Sequence, residues 1–201
     1  VGAVSIAGAV NNKDAMLVSG ATLTFADVTN SSVFTATATD RNVTFADIVT
    51  SGDRFDVTTD TTIYADSITQ NAGVMNLDAH KLLTQSISVA GTVTQANLNV
   101  SNVVVDGNVS VSGDFVQGDS TGMVNHYADT FTADNLQVGG DFLVNGMQTT
   151  YNIGTALRVD GDMVVAEYGA AVVNAGSSVT MAGLTNSGDL TLGAEYVAVQ
   201  D

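Results

Sequence analysis

The 201-residue chain predicts an elongated all-β fold, a β-solenoid or another stack of repeated strands, and three observations carry that expectation. Apolar and polar residues alternate over many short stretches, the pattern of half-buried strands. Valine, threonine and alanine dominate, while Lys13, Lys81, Glu167 and Glu195 are the only Lys and Glu, so strong helix formers are scarce. Short motifs also return at intervals of about 20 residues, the length of one solenoid coil or one hairpin-plus-strand unit. A β-sandwich or jelly roll joined by ordinary hairpin turns is the alternative. Residues 1–201 read as one elongated domain, or as two parts meeting near residues 70–90.

The opening Val1-Gly2-Ala3-Val4-Ser5-Ile6-Ala7-Gly8-Ala9-Val10 is apolar and reads as the first strand. A free arm adding to a neighbour's sheet edge is its rival. A start at Val1 rather than Met fits a processed chain, by a removed export signal or a trimmed virion protein, or a sequence that is only the mature or ordered part. Leu77-Asp78-Ala79-His80-Lys81-Leu82-Leu83 is the one stretch expected to form a short helix or a connecting turn. Beyond it alternation resumes at Leu98, Val100, Val109 and Val111, then at Leu136 and Val138, Leu157 and Val159, and Leu190 and Leu192. No uninterrupted apolar run is long enough to form a membrane-spanning helix.

Two patterns repeat. Thr24-Phe25-Ala26-Asp27-Val28 returns as Thr44-Phe45-Ala46-Asp47-Ile48, and more loosely as Ile63-Tyr64-Ala65-Asp66-Ser67-Ile68, with echoes at Tyr127-Ala128-Asp129 and Thr132-Ala133-Asp134. The second pattern sets Gly before Asp or Asn and an apolar residue, as in Gly107-Asn108-Val109, Gly113-Asp114-Phe115, Gly140-Asp141-Phe142, Gly161-Asp162-Met163 and Gly188-Asp189-Leu190. Gly107, Gly113, Gly140, Asn145, Gly146, Gly161 and Gly188 are therefore the expected structural turns. Glycine is expected there to supply positive φ, and Asp or Asn to bond back to its own backbone. The apolar residue that follows would turn inward and stack on its counterpart in the next layer.

From Leu136 to Val165 the chain reads LQVGGDFLVNGMQTTYNIGTALRVDGDMVV. This stretch resembles tailed-bacteriophage fibre and appendage proteins, with matching positions at Gly140, Asp141, Val144, Asn145, Gly146, Thr149, Thr150, Leu157, Val159 and Asp160. It departs from them at Met147-Gln148 and at Gly161. The resemblance implies a structural segment of intertwined or stacked strands, as in homotrimeric fibres. Val89 to Asp119 is similar in style to the passenger repeats of secreted bacterial β-solenoid adhesins. Neither resemblance carries a catalytic residue.

Five Lys and Arg against 21 Asp and Glu give a net charge of −16, which argues against nucleic acid and anionic membranes as partners. Cysteine is absent, so neither disulfides nor thiolate metal sites arise. His80 and His126 stand far apart without a catalytic motif, and each reads as a surface or turn residue. Asp53, Asp56 and Asp60 are the nearest approach to a glycosidase carboxylate pair; on one strand the first two would face opposite ways. Asp160-Gly161-Asp162 and Asp106-Gly107-Asn108 have the ligand types for calcium but match no EF-hand loop or glycine-rich calcium repeat, so turns without metal are expected, with calcium as the alternative.

The sequence thus predicts a non-enzymatic structural subunit of an extracellular fibre or virion appendage, its partners being copies of itself in a homotrimer or filament. A secreted cell-surface filament or adhesin subunit is the alternative. So is a module binding a surface glycan or receptor through Tyr127, Tyr151, Tyr168 or Tyr196.

Overall fold

A computed structural model describes residues 2–94, 98–117, 129–146 and 148–200. The chain is an all-β solenoid of about nine turns, with no helix among the described residues. Each coil has three sides, and successive coils are joined by parallel pairing.

The first side carries β1 (Val4–Ile6), β4 (Leu23–Phe25), β7 (Val43–Thr44), β20 (Ala170–Ala175) and β23 (Asp189–Gly193). The second carries β2 (Val10–Asn12), β5 (Val28–Asn30), β8 (Asp47–Thr50), β14 (Asn108–Val111), β21 (Ser178–Met181) and β24 (Tyr196–Val199). β10 (Thr62–Gln70), β16 (Asp129–Val138) and β18 (Thr149–Val159) run through both sides. The third side begins with β3 (Met16–Gly20), β6 (Val33–Ala38) and β9 (Arg54–Thr59). β11 (Val74–Val89) runs round all three sides, and β13 (Leu98–Val105) runs from the third side into the first. The third side then continues as a separate five-stranded sheet of β12 (Val93–Thr94), β15 (Phe115–Gln117), β17 (Phe142–Val144), β19 (Met163–Val165) and β22 (Leu184–Asn186).

Alternation decides which residues enter the core, and parallel register decides what each one meets. On the first side Val4 pairs with Leu23, Leu23 with Val43, Val43 with Ile63 and Ile63 with Leu82, and the column runs on through Val103, Phe131, Tyr151 and Val173 to Leu192. The second side has a like column from Val10 through Ile48, Ile68, Leu136 and Leu157 to Val197. All seven phenylalanines stack into two clusters. In the first, Phe25 lies on Phe45 at 5.0 Å between ring centroids and Phe34 on Phe55 at 4.8 Å. In the second, Phe115 lies on Phe142 at 5.2 Å, with Phe131 and Tyr151 set edgewise or tilted against them. Each fully buried ring of this kind contributes roughly 1.5–3 kcal/mol through area alone.

Two sequence expectations are corrected here. Leu77–Leu83 lies inside β11 as extended strand, neither helix nor connecting turn. Leu77, Ala79 and Leu82 face the core, and the unburied pair His80-Lys81 turns the corner between the third and first sides. That doubled outward position breaks the alternation and gives the stretch its helical look. The loose third copy of the Thr-Phe-Ala-Asp motif is also one residue out of step. Tyr64 pairs with Thr44 and faces outward, while Ala65 takes the inward place of Phe45. Because side chains alternate with a period of two, a slip of one residue exchanges inside for outside. The first two copies do stack as the repeat predicts, Thr24 on Thr44 and Val28 on Ile48.

Truncating Phe142→Ala removes a ring wedged between Phe115 and Tyr151. We expect a loss of about 3–5 kcal/mol in urea unfolding, against a change within about 0.5 kcal/mol for the exposed Leu17→Ala.

Candidate functional site

Among the described residues, a regular polar ladder lies at the corner where the second side turns into the third. Gly113, Gly140 and Gly161 stack there directly over one another. The Gly113 N–H donates to the Gly91 carbonyl at 2.9 Å, Gly140 to Gly113 at 2.9 Å, Gly161 to Gly140 at 3.0 Å, and Ala182 to Gly161 at 2.9 Å. The aspartates beside them form a second ladder. The Asp141 N–H donates to Asp114 Oδ1 at 2.9 Å and the Asp162 N–H to Asp141 Oδ1 at 2.8 Å, with Thr92 Oγ1 accepting from the Asp114 N–H at 3.3 Å. Asp114 and Asp141 thus reach along the axis to the coil beside them and support that coil's backbone, where the sequence suggested a bond to their own.

The role expected of the glycines also changes. Gly107, Gly113, Gly140, Gly161 and Gly188 do not have positive φ; among the described residues Gly73 and Gly91 do. What excludes a side chain at the corner is the neighbouring coil. A Cβ on Gly140 would collide with Asp114 Oδ1 and lie 2.9 Å from the Gly113 carbonyl carbon, and one on Gly161 would lie 2.7 Å from the Gly140 oxygen. Glycine here permits close stacking of backbones.

The remaining predicted turn residues occupy the other two corners. Gly107 lies where the first side meets the second, its carbonyl accepting from the Asp134 N–H at 2.8 Å. Asn145, Gly146 and Gly188 lie where the third side returns to the first. The Asn145 N–H donates to the Gln117 carbonyl at 2.9 Å, and the Gly146 carbonyl accepts from Ala170 at 3.0 Å. A Cβ on Gly188 would collide with the Gly169 oxygen. The seven residues are therefore spread over three corners, with Gly113, Gly140 and Gly161 brought into a single column. The inward stacking expected after each Gly-Asp pair holds for Phe115 on Phe142 and Phe142 on Met163.

A second polar ladder lies inside the solenoid. Asn12 and Asn30 are buried on the inner wall, where Asn12 Nδ2 donates to Asn30 Oδ1 at 2.8 Å and Asn30 Nδ2 lies 3.1 Å from Thr50 Oγ1. Both side chains also donate to backbone carbonyls across the corner, of Val33 and of Arg54. Their signal in the sequence is a pair of asparagines one coil apart, which becomes meaningful only when the length of that coil is known.

The other candidate groups are dispersed. His80 is exposed on β11, and His126 and Tyr127 lie outside the described residues. Asp56 sits on β9, paired with Arg54 at 2.5 Å and accepting from Asn76 Nδ2 at 2.6 Å, while Asp53 and Asp60 lie in the turns at either end of that strand. Asp160 is held by Arg158 at 2.6 Å, and Asn108 Oδ1 accepts from Asn135. Among the described residues no group of three or more His, Asp or Glu comes together as a metal site. Tyr151 is buried and donates to Gln117 Oε1 at 3.0 Å, so it offers no ring to a sugar; Tyr168 and Tyr196 are exposed. Comparison with family models, with curated proteins and with solved structures finds no match to the chain.

Gly140→Ala should lower stability by about 1–3 kcal/mol through backbone overpacking, whereas Gly8→Ala, with open space around it, should be nearly neutral. Asp114→Ala should cost about 1 kcal/mol by removing the acceptor of the Asp141 N–H, and Asp114→Asn, which keeps Oδ1, should recover most of it. Thermal melts of the four variants test the corner.

Proposed function

We propose that the chain is a non-enzymatic structural element of an external fibre, on a virion or a cell surface, that assembles through β-strand contacts between copies of itself. The observation that carries this reading is the parallel ladder of about nine turns, in which each coil is stabilised by lying against the next. Among the described residues β1, β2 and β3, and β22, β23 and β24, each pair with one neighbouring strand, so their other edges offer N–H and C=O groups for pairing. Such edges are templates for further strands. Their inward positions are incompletely covered: Leu184, Val197 and Val199 are 40–43% exposed, and Val4, Ile6 and Val10 are half-buried.

The acidic corners support the same reading. With a net charge of −16, lateral approach between shafts is opposed by repulsion that salt screens.

Electron microscopy and fibre diffraction of the purified chain test the proposal. Unbranched rods with an axial reflection at about 4.8 Å are expected. Compact monomers at high protein concentration would overturn it.

A further inference from the structure

We infer that the first side of the solenoid carries a binding site for a linear, uncharged glycan, laid along the axis over Tyr64, Leu83 and Val104. The site is complete within one chain and is independent of assembly between copies.

Parallel register places the three residues over one another in successive coils, Tyr64 on Leu83 and Leu83 on Val104. All three point outward, because Ile63, Leu82 and Val103 beside them are buried and side chains alternate. For Tyr64 the outward turn follows from the one-residue slip that keeps it out of the place of Phe45. Tyr64 is 37% exposed, and Leu83 and Val104 are half-buried. The stripe spans two coil steps, about 10 Å.

Polar groups line the stripe on both edges, about 7 Å away along each strand. Thr62, Lys81 and Asn102 form one rail, Thr62 pairing with Lys81 and Lys81 with Asn102. Asp66, Gln85 and Asp106 form the other, exposed where the first side turns into the second. Asn102 Oδ1 accepts from Thr130 Oγ1 at 2.6 Å, which fixes the amide and leaves its Nδ2 to donate. An exposed apolar strip with polar rims is the pattern of an interaction surface. A sugar chain matches it in chemistry: the C–H faces of the rings lie on one aromatic and two aliphatic side chains, and the hydroxyls reach donors and acceptors at either edge.

Charge selects the class of glycan. The outward column of the first side from Thr24 to Asn174, and the column beside it from Thr62 to Thr191, hold no carboxylate, and Lys81 is the single charge among them. Acids stand instead at the corners on either flank, Asp66 and Asp106 on one and Asp40 and Asp60 on the other. With a net charge of −16, those flanks turn away acidic polymers and leave the neutral face to an uncharged one. A second copy of the chain fits less well. Stable interfaces bury roughly 800 Å² per partner, far more than three side chains already partly covered can supply. Two such faces packed together would also set the acidic corners of one shaft against those of the other.

Isothermal titration with cellohexaose, laminarihexaose and mannohexaose, and with an oligogalacturonate as the acidic control, tests the site. At least one neutral hexasaccharide should bind, and the oligogalacturonate should not. Tyr64→Ala should weaken that binding by about tenfold or more, and Asn102→Ala by several-fold. Tyr64→Phe, which keeps the ring, should stay within about twofold of the parent. Tyr168→Ala, on an exposed ring at another corner, should leave binding unchanged. Binding by none of the neutral hexasaccharides, preference for the oligogalacturonate, or undiminished binding by Tyr64→Ala would overturn the inference. So would sedimentation that shows dimers dissociated by Tyr64→Ala, which would assign the stripe to a second copy. Rods seen by microscopy bear on the fibre reading alone, so the two proposals fail separately. Circular dichroism identical to the parent keeps a folding failure from passing as lost binding.

Discussion

The parallel backbone ladder between successive coils holds equivalent positions about 4.8 Å apart, and most other features of the molecule follow from that spacing. A residue facing inward must tolerate its equivalents above and below, so like gathers with like: Ile48 on Ile68, Phe115 on Phe142, Asn12 on Asn30. Flat rings suit that distance, and Phe34 and Phe55 lie nearly parallel, at 9°. Polar groups caught inside the solenoid solve the same problem by bonding along the axis. The Asn12–Asn30–Thr50 ladder leaves each amide a partner where water cannot reach.

The same spacing governs the corners. Where the chain turns from the second side into the third, backbone lies so close on backbone that a Cβ cannot be placed, which is why glycine recurs at 113, 140 and 161. The neighbouring Asp answers a different need. A tight corner turns amides away from the strand ladder, and the carboxylate of one coil accepts the amide of the next. Glycine and aspartate therefore recur together for two reasons that share one geometric origin.

A stack with this logic has no geometric stopping point, because each coil offers the next the same kind of surface that it lies on. The coils are strongly acidic throughout, with a net charge of −16. In the proposed fibre, that charge opposes lateral contact between shafts, and strand pairing directs association along the axis.

The strands, their inward residues and the glycine corners were legible in the sequence because alternation and the Gly-Asp pairs are local signals, set by the pleat and by the turn. The three-sided stack was legible only as the interval at which motifs return. Which residue meets which was not. Steps between coils are unequal, short from Val10 to Val28 and long from Val103 to Phe131, so Tyr64 appeared to match Phe45 and in fact lies beside Thr44. The helical look of Leu77–Leu83, the ladder of Asn12 and Asn30, and the reason glycine is needed at the corners likewise depended on contacts between residues a whole coil apart. Local pattern determines that a segment is extended and which way it faces; only the stacked structure decides what lies above it, because register is set by the whole coil.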